Sequence, residues 1–206
     1  MVRRRVAGLV LASVAVAGAA GMYLTGDKVA SVTDGDTFRI ENKQPIRLYG
    51  VDAPEVENCM GPEAKRRLTA LILSKRVMIR QPYTDPWRRV MALVYVDGKL
   101  VNEIMVREGL AEYSGLGRDE AARMGAANSE ARANKRGIFS ERCYQKDPPD
   151  LKCPIKGNIT LNVKTYYLPD CGHYSETIVE KYQGEAWFCN ESSAEKAGFQ
   201  KAKECP

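Results

Sequence analysis

From Lys28 onward, apolar and polar positions alternate in short runs separated by turn residues. Val29 to Val32 leads into Asp34-Gly35, a tight-turn dipeptide, and then Thr37-Phe38-Arg39-Ile40. Ile46 to Val51 reads as a further strand, Val77 to Arg80 as one that ends at Pro82, and Val90 to Val96 as one stopped by Asp97-Gly98. Between them the period changes. After the Gly61-Pro62 start signal, Ala64, Leu68, Leu71 and Ile72 fall on one helical face, opposite Lys65, Arg66 and Lys75. Val101, Ile104 and Met105 mark a second helix ending near Gly109. Arg118 to Arg136 is an Ala-rich third helix closed by Gly137. The order is strands, helix, strands, helix, helix. It predicts an α+β domain built on a small barrel rather than alternating βαβ units.

The chain begins Met-Val-Arg-Arg-Arg and continues uncharged from Val6 to Leu24. A basic stretch before an apolar one is an export signal. Residues 1–25 are therefore expected to be a signal peptide or an N-terminal membrane anchor through residues 6–24, making the protein periplasmic, secreted or membrane-anchored. Lys146-Asp147-Pro148-Pro149-Asp150 is a linker signal. The expected division is a domain over 26–145, a linker over 146–152 and a small unit over 153–206.

Hydrophobic content of 44% and charged content of 28% are ordinary for a globular protein. The net charge of +5 shrinks to +2 without the first 24 residues, so any anion site must be local. All six cysteines lie beyond the leader, and no two form a CxxC pair. In an exported chain an even count favours disulfides. A tail of some 55 residues carrying four of the six is too small to be held by core burial alone.

Residues 26–145 contain no histidine, the single one being His173 in the tail. A histidine triad or base is therefore excluded there. Hydrolysis would have to run on carboxylates, arginines and a hard cation. Those groups occur in Val32-Thr33-Asp34-Gly35-Asp36-Thr37 and in Arg47-Leu48-Tyr49-Gly50-Val51-Asp52-Ala53-Pro54-Glu55. Acids at a turn and at a strand end converge if the strands are neighbours, and such oxygen ligands suit Ca²⁺ or Mg²⁺ rather than zinc. Taken singly, Asp34-Gly35-Asp36 reads as a hairpin turn and Asp52 to Glu55 as a solvated loop.

Over Lys28 to Ser140 the sequence resembles the thermonuclease (staphylococcal nuclease) family. The two acidic clusters carry the resemblance, with Gly61-Pro62-Glu63-Ala64, Arg89 ahead of Ala92 to Lys99, and Val101-Asn102-Glu103 leading to Gly109-Leu110-Ala111. The resemblance implies a five-stranded OB-type β-barrel with three helices. It implies a Ca²⁺-dependent nuclease acting on DNA and RNA and leaving 3′-phosphates. Asp36 and Asp52 would be the calcium carboxylates, with the Ala53 carbonyl as a further ligand and Asp34 behind them. Glu55 would orient or deprotonate the attacking water. Arg47 and Arg89 would grip the phosphate, the register of Ala92 to Lys99 favouring Arg89 over Arg88. The family's Lys-Tyr dipeptide is replaced by Pro86-Trp87, and its nucleotide-stacking tyrosines have no clear match, so Trp87 and Tyr113 are the candidates for holding the nucleotide. A Cys59–Cys143 bridge follows if the barrel folds as in the family. The other four cysteines allow three pairings, of which Cys171–Cys205 with Cys153–Cys189 is favoured. The tail resembles a small module appended to bacterial exported nucleases, sometimes called a sunset domain, here expected as two short strands and a helix from Ser193 to about Lys203. A monomer with no protein partner is expected. The alternative is a non-catalytic OB-fold nucleic-acid-binding module of the cell envelope, for which keeping Asp36, Arg47, Asp52, Glu55 and Arg89 together would have no purpose.

Overall fold

The structure is a computed structural model, and it describes residues 26–86, 88–115 and 120–206. The leader over 1–25 and Trp87 lie outside the described residues. Among the described residues no helix is long and apolar enough to cross a membrane.

Five strands close into a barrel. β1 (Asp27–Val32) pairs antiparallel with β2 (Thr37–Ile40), and β2 with β3 (Pro45–Leu48). After the two-residue β4 (Val51–Asp52) and the helix α1 (Gly61–Ile72) come β5 (Arg76–Thr84) and β6 (Val90–Val96), which form an antiparallel pair. β5 returns to β1, and β6 closes the ring by pairing parallel with β3. Closure leaves no barrel edge. Alternation dictates what fills it. Phe38, Ile40, Ile46 and Leu48 are buried while Arg39 and Arg47 between them point outward. The expected α+β fold with a five-stranded OB-type barrel is the fold observed.

Two boundaries differ from expectation. The strand expected from Ile46 to Val51 breaks at Tyr49-Gly50, where Gly50 takes a left-handed φ of 69°. β5 does not end at Pro82. Its register against β6 shifts between Arg80 and Tyr83, and Gln81 sits at φ 50°. The bulge leaves Pro82 where no ladder N–H is required.

β7 (Lys99–Leu100) hairpins onto β6 and leads into α2 (Val101–Arg107). β8 (Glu112–Tyr113) pairs with β4, and α3 spans Ala121–Ala133, within the expected 118–136. One polar residue ties these parts together. Asn102 is fully buried on α2, accepts the Val94 N–H at 2.9 Å, and donates to the carbonyls of Tyr49 (2.9 Å) and Ala92 (3.2 Å). It thereby fixes the Tyr49-Gly50 turn to β6, and each partner would cost about 1–3 kcal/mol if left buried and unpaired.

The tail has more strands and less helix than expected. β9 (Tyr144–Gln145) precedes β10 (Ile155–Thr160) and β11 (Val163–Tyr167), an antiparallel hairpin. β12 (Val179–Glu180) pairs with β9, β13 (Ala186–Phe188) pairs with β10, and β14 (Gln200–Lys201) runs parallel to β11. The helix α4 covers only Glu191–Lys196. Asn190 caps its start by accepting the Ser193 N–H, and Gly198 at φ 86° ends it and releases the chain into β14. Ile155, Tyr166, Ala194 and Phe199 form the small core. Disulfides join Cys153 to Cys189 and Cys171 to Cys205 within the tail, and Cys59 to Cys143 across the barrel domain. The last closes a loop of 84 residues. Restricting the unfolded chain in this way is worth about 4.5 kcal/mol on the chain-entropy account.

Candidate active site

The turn between β1 and β2 is built by Asp34. Its Oδ1 accepts the N–H groups of Asp36 (3.0 Å) and Thr37 (2.7 Å), the local closure that Asp side chains favour. Gly35 lets this turn seat tightly. A Cβ there would stand 2.6 Å from the Cβ atoms of both Ala53 and Ala64, so any side chain would force the turn away from the Asp52–Glu55 loop and from α1. Asp36 follows, only 2% exposed. Its Oδ1 accepts from the Thr37 hydroxyl (2.8 Å) and from Arg47 Nη1, and its Oδ2 accepts the Ala53 N–H at 2.9 Å. Burial pushes the Asp36 carboxyl up to about 7, against the pull of the Arg47 guanidinium and the Ala53 N–H.

Arg47 leaves β3 on its outward face. Its second nitrogen, Nη2, donates to Asp52 Oδ1 at 2.6 Å. One guanidinium thus lies between the two carboxylates, each offering an oxygen to it. Asp36 is enclosed, whereas the Asp52 side chain is 56% exposed, so the cluster opens to solvent on the Asp52 side. β4 holds Asp52 opposite Glu112 and Val51 opposite Tyr113, which brings the Tyr113 backbone beside the loop. Glu55 is exposed on the stretch between β4 and α1. Its carbonyl accepts the Asn58 N–H at 2.9 Å, and Gly61 packs so closely on that carbonyl that a Cβ would lie 1.9 Å from it.

Arg89 stands one residue before β6. Val90 pairs with Ile46 and Met91 with Arg47, so alternation sets Arg89 on the face that carries Met91 and Arg47. Its Nε donates to Asp85 Oδ2 at 2.7 Å, and Asp85 Oδ1 accepts the Arg89 N–H at 2.8 Å. Asp85 is 7% exposed and fixes where this guanidinium starts from. The structure therefore gathers Asp34, Asp36, Arg47, Asp52 and Ala53 into one cluster, with Glu55 on the same loop. Arg89 lies just ahead of the neighbouring strand β6, where it is bonded to Asp85.

Three contributors were given no role from the sequence: Asn102, quoted only within the Val101-Asn102-Glu103 motif, Asp85 and Asn58. A buried Asn on an otherwise apolar helix face and an Asp four residues before an Arg were the available signals. An edge-to-face ring pair, Tyr49 with Tyr83 at 4.9 Å, was also not anticipated.

The donor set fits a hard cation. Among the described residues no group of three or more His, Cys, Asp or Glu side chains is arranged to hold a metal ion, and the donors nearest to that role are the carboxylates of Asp36 and Asp52, both bonded to Arg47. Carboxylate oxygens are hard donors of the kind that suit Ca²⁺ or Mg²⁺ rather than zinc.

A family model described as staphylococcal nuclease homologue matches residues 45–141. The chain is 32% identical over 148 residues to Protein ParB of Escherichia coli, covering 66% of this chain and 83% of that protein. The chain belongs to the staphylococcal nuclease family. It is also 32% identical over 127 residues to a micrococcal nuclease of Shigella flexneri, covering 55% of this chain and 73% of that protein. An uncharacterized endonuclease of Escherichia coli is 33% identical over 119 residues, with coverages of 55% and 76%. Arg47, Asp52, Glu55 and Arg89 of this family member fall inside the span matched by the family model, and Asp34 and Asp36 just ahead of it.

Proposed function

We propose that this staphylococcal-nuclease-like chain is an exported, Ca²⁺-dependent nuclease that hydrolyses phosphodiester bonds of DNA and RNA. The observation that carries the reading is the Arg47 guanidinium set between Asp36 and Asp52, with Glu55 three residues further along the loop. Membership of the family and the nuclease names of its relatives support the reaction class.

Asp36, Asp52 and the Ala53 carbonyl would hold the cation, which when bound supplies Lewis-acid polarisation of a phosphoryl oxygen. Phosphodiester hydrolysis builds negative charge on the phosphoryl oxygens in the transition state. Arg47 and Arg89 stabilise that charge with planar forked donors that never deprotonate. Asp36 and Asp52 orient the Arg47 fork, and Asp85 orients Arg89. Glu55, exposed beside the cluster, takes the proton from the attacking water, since residues 26–145 contain no histidine to do so. Tyr113 and Trp87 are proposed to hold the nucleotide.

All six cysteines are paired, which suits an oxidising compartment and the export signal of the leader. We place residues 26–145 as the catalytic domain, 146–152 as the linker and 153–206 as the tail module.

The test is digestion of single-stranded DNA and of RNA by the purified protein with Ca²⁺, with Mg²⁺ and with excess chelator. Cleavage in Ca²⁺ that stops in chelator is expected. Undiminished cleavage in chelator would remove the metal from the reaction.

A further inference from the structure

The tail module does not hang free of the catalytic loop. Its turn Lys181–Gln183 lies against the residues that follow Glu55. Asn58 Nδ2 donates to the Tyr182 carbonyl at 3.3 Å, and the Cys59 N–H points to the Lys181 carbonyl at 3.4 Å. The Lys181 N–H in turn donates to the Cys143 carbonyl at 2.8 Å, so the turn is pinned on both sides of the Cys59–Cys143 bridge. Tyr182 is 4% exposed and packs with Ala131, Ile138, Phe139 and Cys143, against which Cys59 and Met60 also rest. Its hydroxyl donates to Glu112 Oε2 at 3.2 Å, and Glu112 is the ladder partner of Asp52. Gly184, at φ 86°, passes so near that a Cβ would lie 3.4 Å from Asn58 Nδ2.

Asn58 is the joint between these contacts and the chemistry. Its backbone N–H holds the Glu55 carbonyl at 2.9 Å while its side chain reaches the tail. A loop between a two-residue strand and a helix start has few bonds of its own, so its geometry is set by what it leans on. A general base misplaced by about 1 Å loses up to roughly 10² in rate.

We propose that the C-terminal module braces the active-site loop, with Asn58 as the residue that positions Glu55 and Tyr182 as the tail residue that positions Asn58 and, through Glu112, the Asp52 strand. The proposal rests on the reading of Glu55 as the base, and it makes the module part of the catalytic unit rather than a passenger.

The experiment compares full chains carrying Asn58→Ala, Tyr182→Phe, Glu55→Gln and the Asn58→Ala/Glu55→Gln pair, on single-stranded DNA in Ca²⁺. Asn58→Ala is expected to lower kcat about 10-fold with KM within about twofold. Tyr182→Phe, which keeps ring and carbonyl, is expected to lower kcat about threefold. In the Glu55→Gln background Asn58→Ala should change kcat by less than about twofold, because its effect runs through the group already removed. A fully multiplicative loss, or an unchanged kcat in Asn58→Ala, would overturn the brace. Amide hydrogen exchange reads the brace without activity. The Cys59 amide should exchange at least about 10-fold faster in Asn58→Ala while β10 and β11 stay protected. Unchanged exchange at Cys59 overturns the brace whatever Glu55 does. Full activity in Glu55→Gln overturns the reading of Glu55, and the exchange result then decides the brace separately.

Discussion

Replacing Glu55 by Gln is expected to lower kcat on single-stranded DNA by about 10²–10⁴-fold, with KM within a few-fold. Gln keeps the shape and the hydrogen-bonding reach of Glu but cannot accept a proton. The residue is exposed, and its local geometry is fixed by its carbonyl, which the Asn58 N–H and the close approach of Gly61 hold in place. The fold therefore has no stake in the carboxylate, and the loss should be confined to turnover. Steady-state kinetics in saturating Ca²⁺, beside a melting curve, separates the two. Turnover equal to that of the parent protein would take Glu55 out of the mechanism, and residues 26–145 offer no histidine in its place.

Arg47→Ala is expected to injure both activity and stability. Removing one positioned donor to a developing oxyanion costs about 10²–10³ in rate. The same side chain also sits between Asp36, which is 2% exposed, and Asp52. Deleting it leaves a buried carboxylate without its counter-charge, which costs about 3–5 kcal/mol for fully buried pairs. Arg47 is 18% exposed, so a loss of about 2–3 kcal/mol is expected in urea unfolding without metal. The pH dependence follows from Asp36. Its folded pKa is already raised, to about 7 from 3.8, so the stability linked to it is present below 3.8 and is lost as pH rises towards 7. Without Arg47 the carboxyl is pushed higher still. The penalty of the substitution should therefore be greatest above pH 7 and shrink at lower pH, where Asp36 is neutral. Arg47→Lys keeps a charge but not the fork that reaches both carboxylates, so it should recover stability better than rate. A penalty independent of pH would show that Arg47 does not compensate Asp36.

The barrel was legible because its strands alternate. Phe38 and Ile40, Ile46 and Leu48 show their inward face in the bare sequence. The site was legible only as two clusters of acids around an arginine. Their meeting depends on Gly35, which admits the first turn to within contact of Ala53 and Ala64, and no periodicity shows that approach. Asn102 was hidden for a related reason. It occupies an apolar helix position, and only the three backbone groups it satisfies explain it. The terminal helix was expected to run to about Lys203 because Ala194-Glu195-Lys196-Ala197 continues a helical pattern, whereas it ends at Lys196. Gly198 breaks it, and the next residues gain more by pairing with β11.

The most direct measurement is calorimetric titration of Ca²⁺ into the full chain, beside Asp36→Asn and Asp52→Asn. One binding event in the parent protein, weakened at least about tenfold in each variant, is the predicted result. Binding of the same strength in all three proteins would contradict a cation held between those two carboxylates.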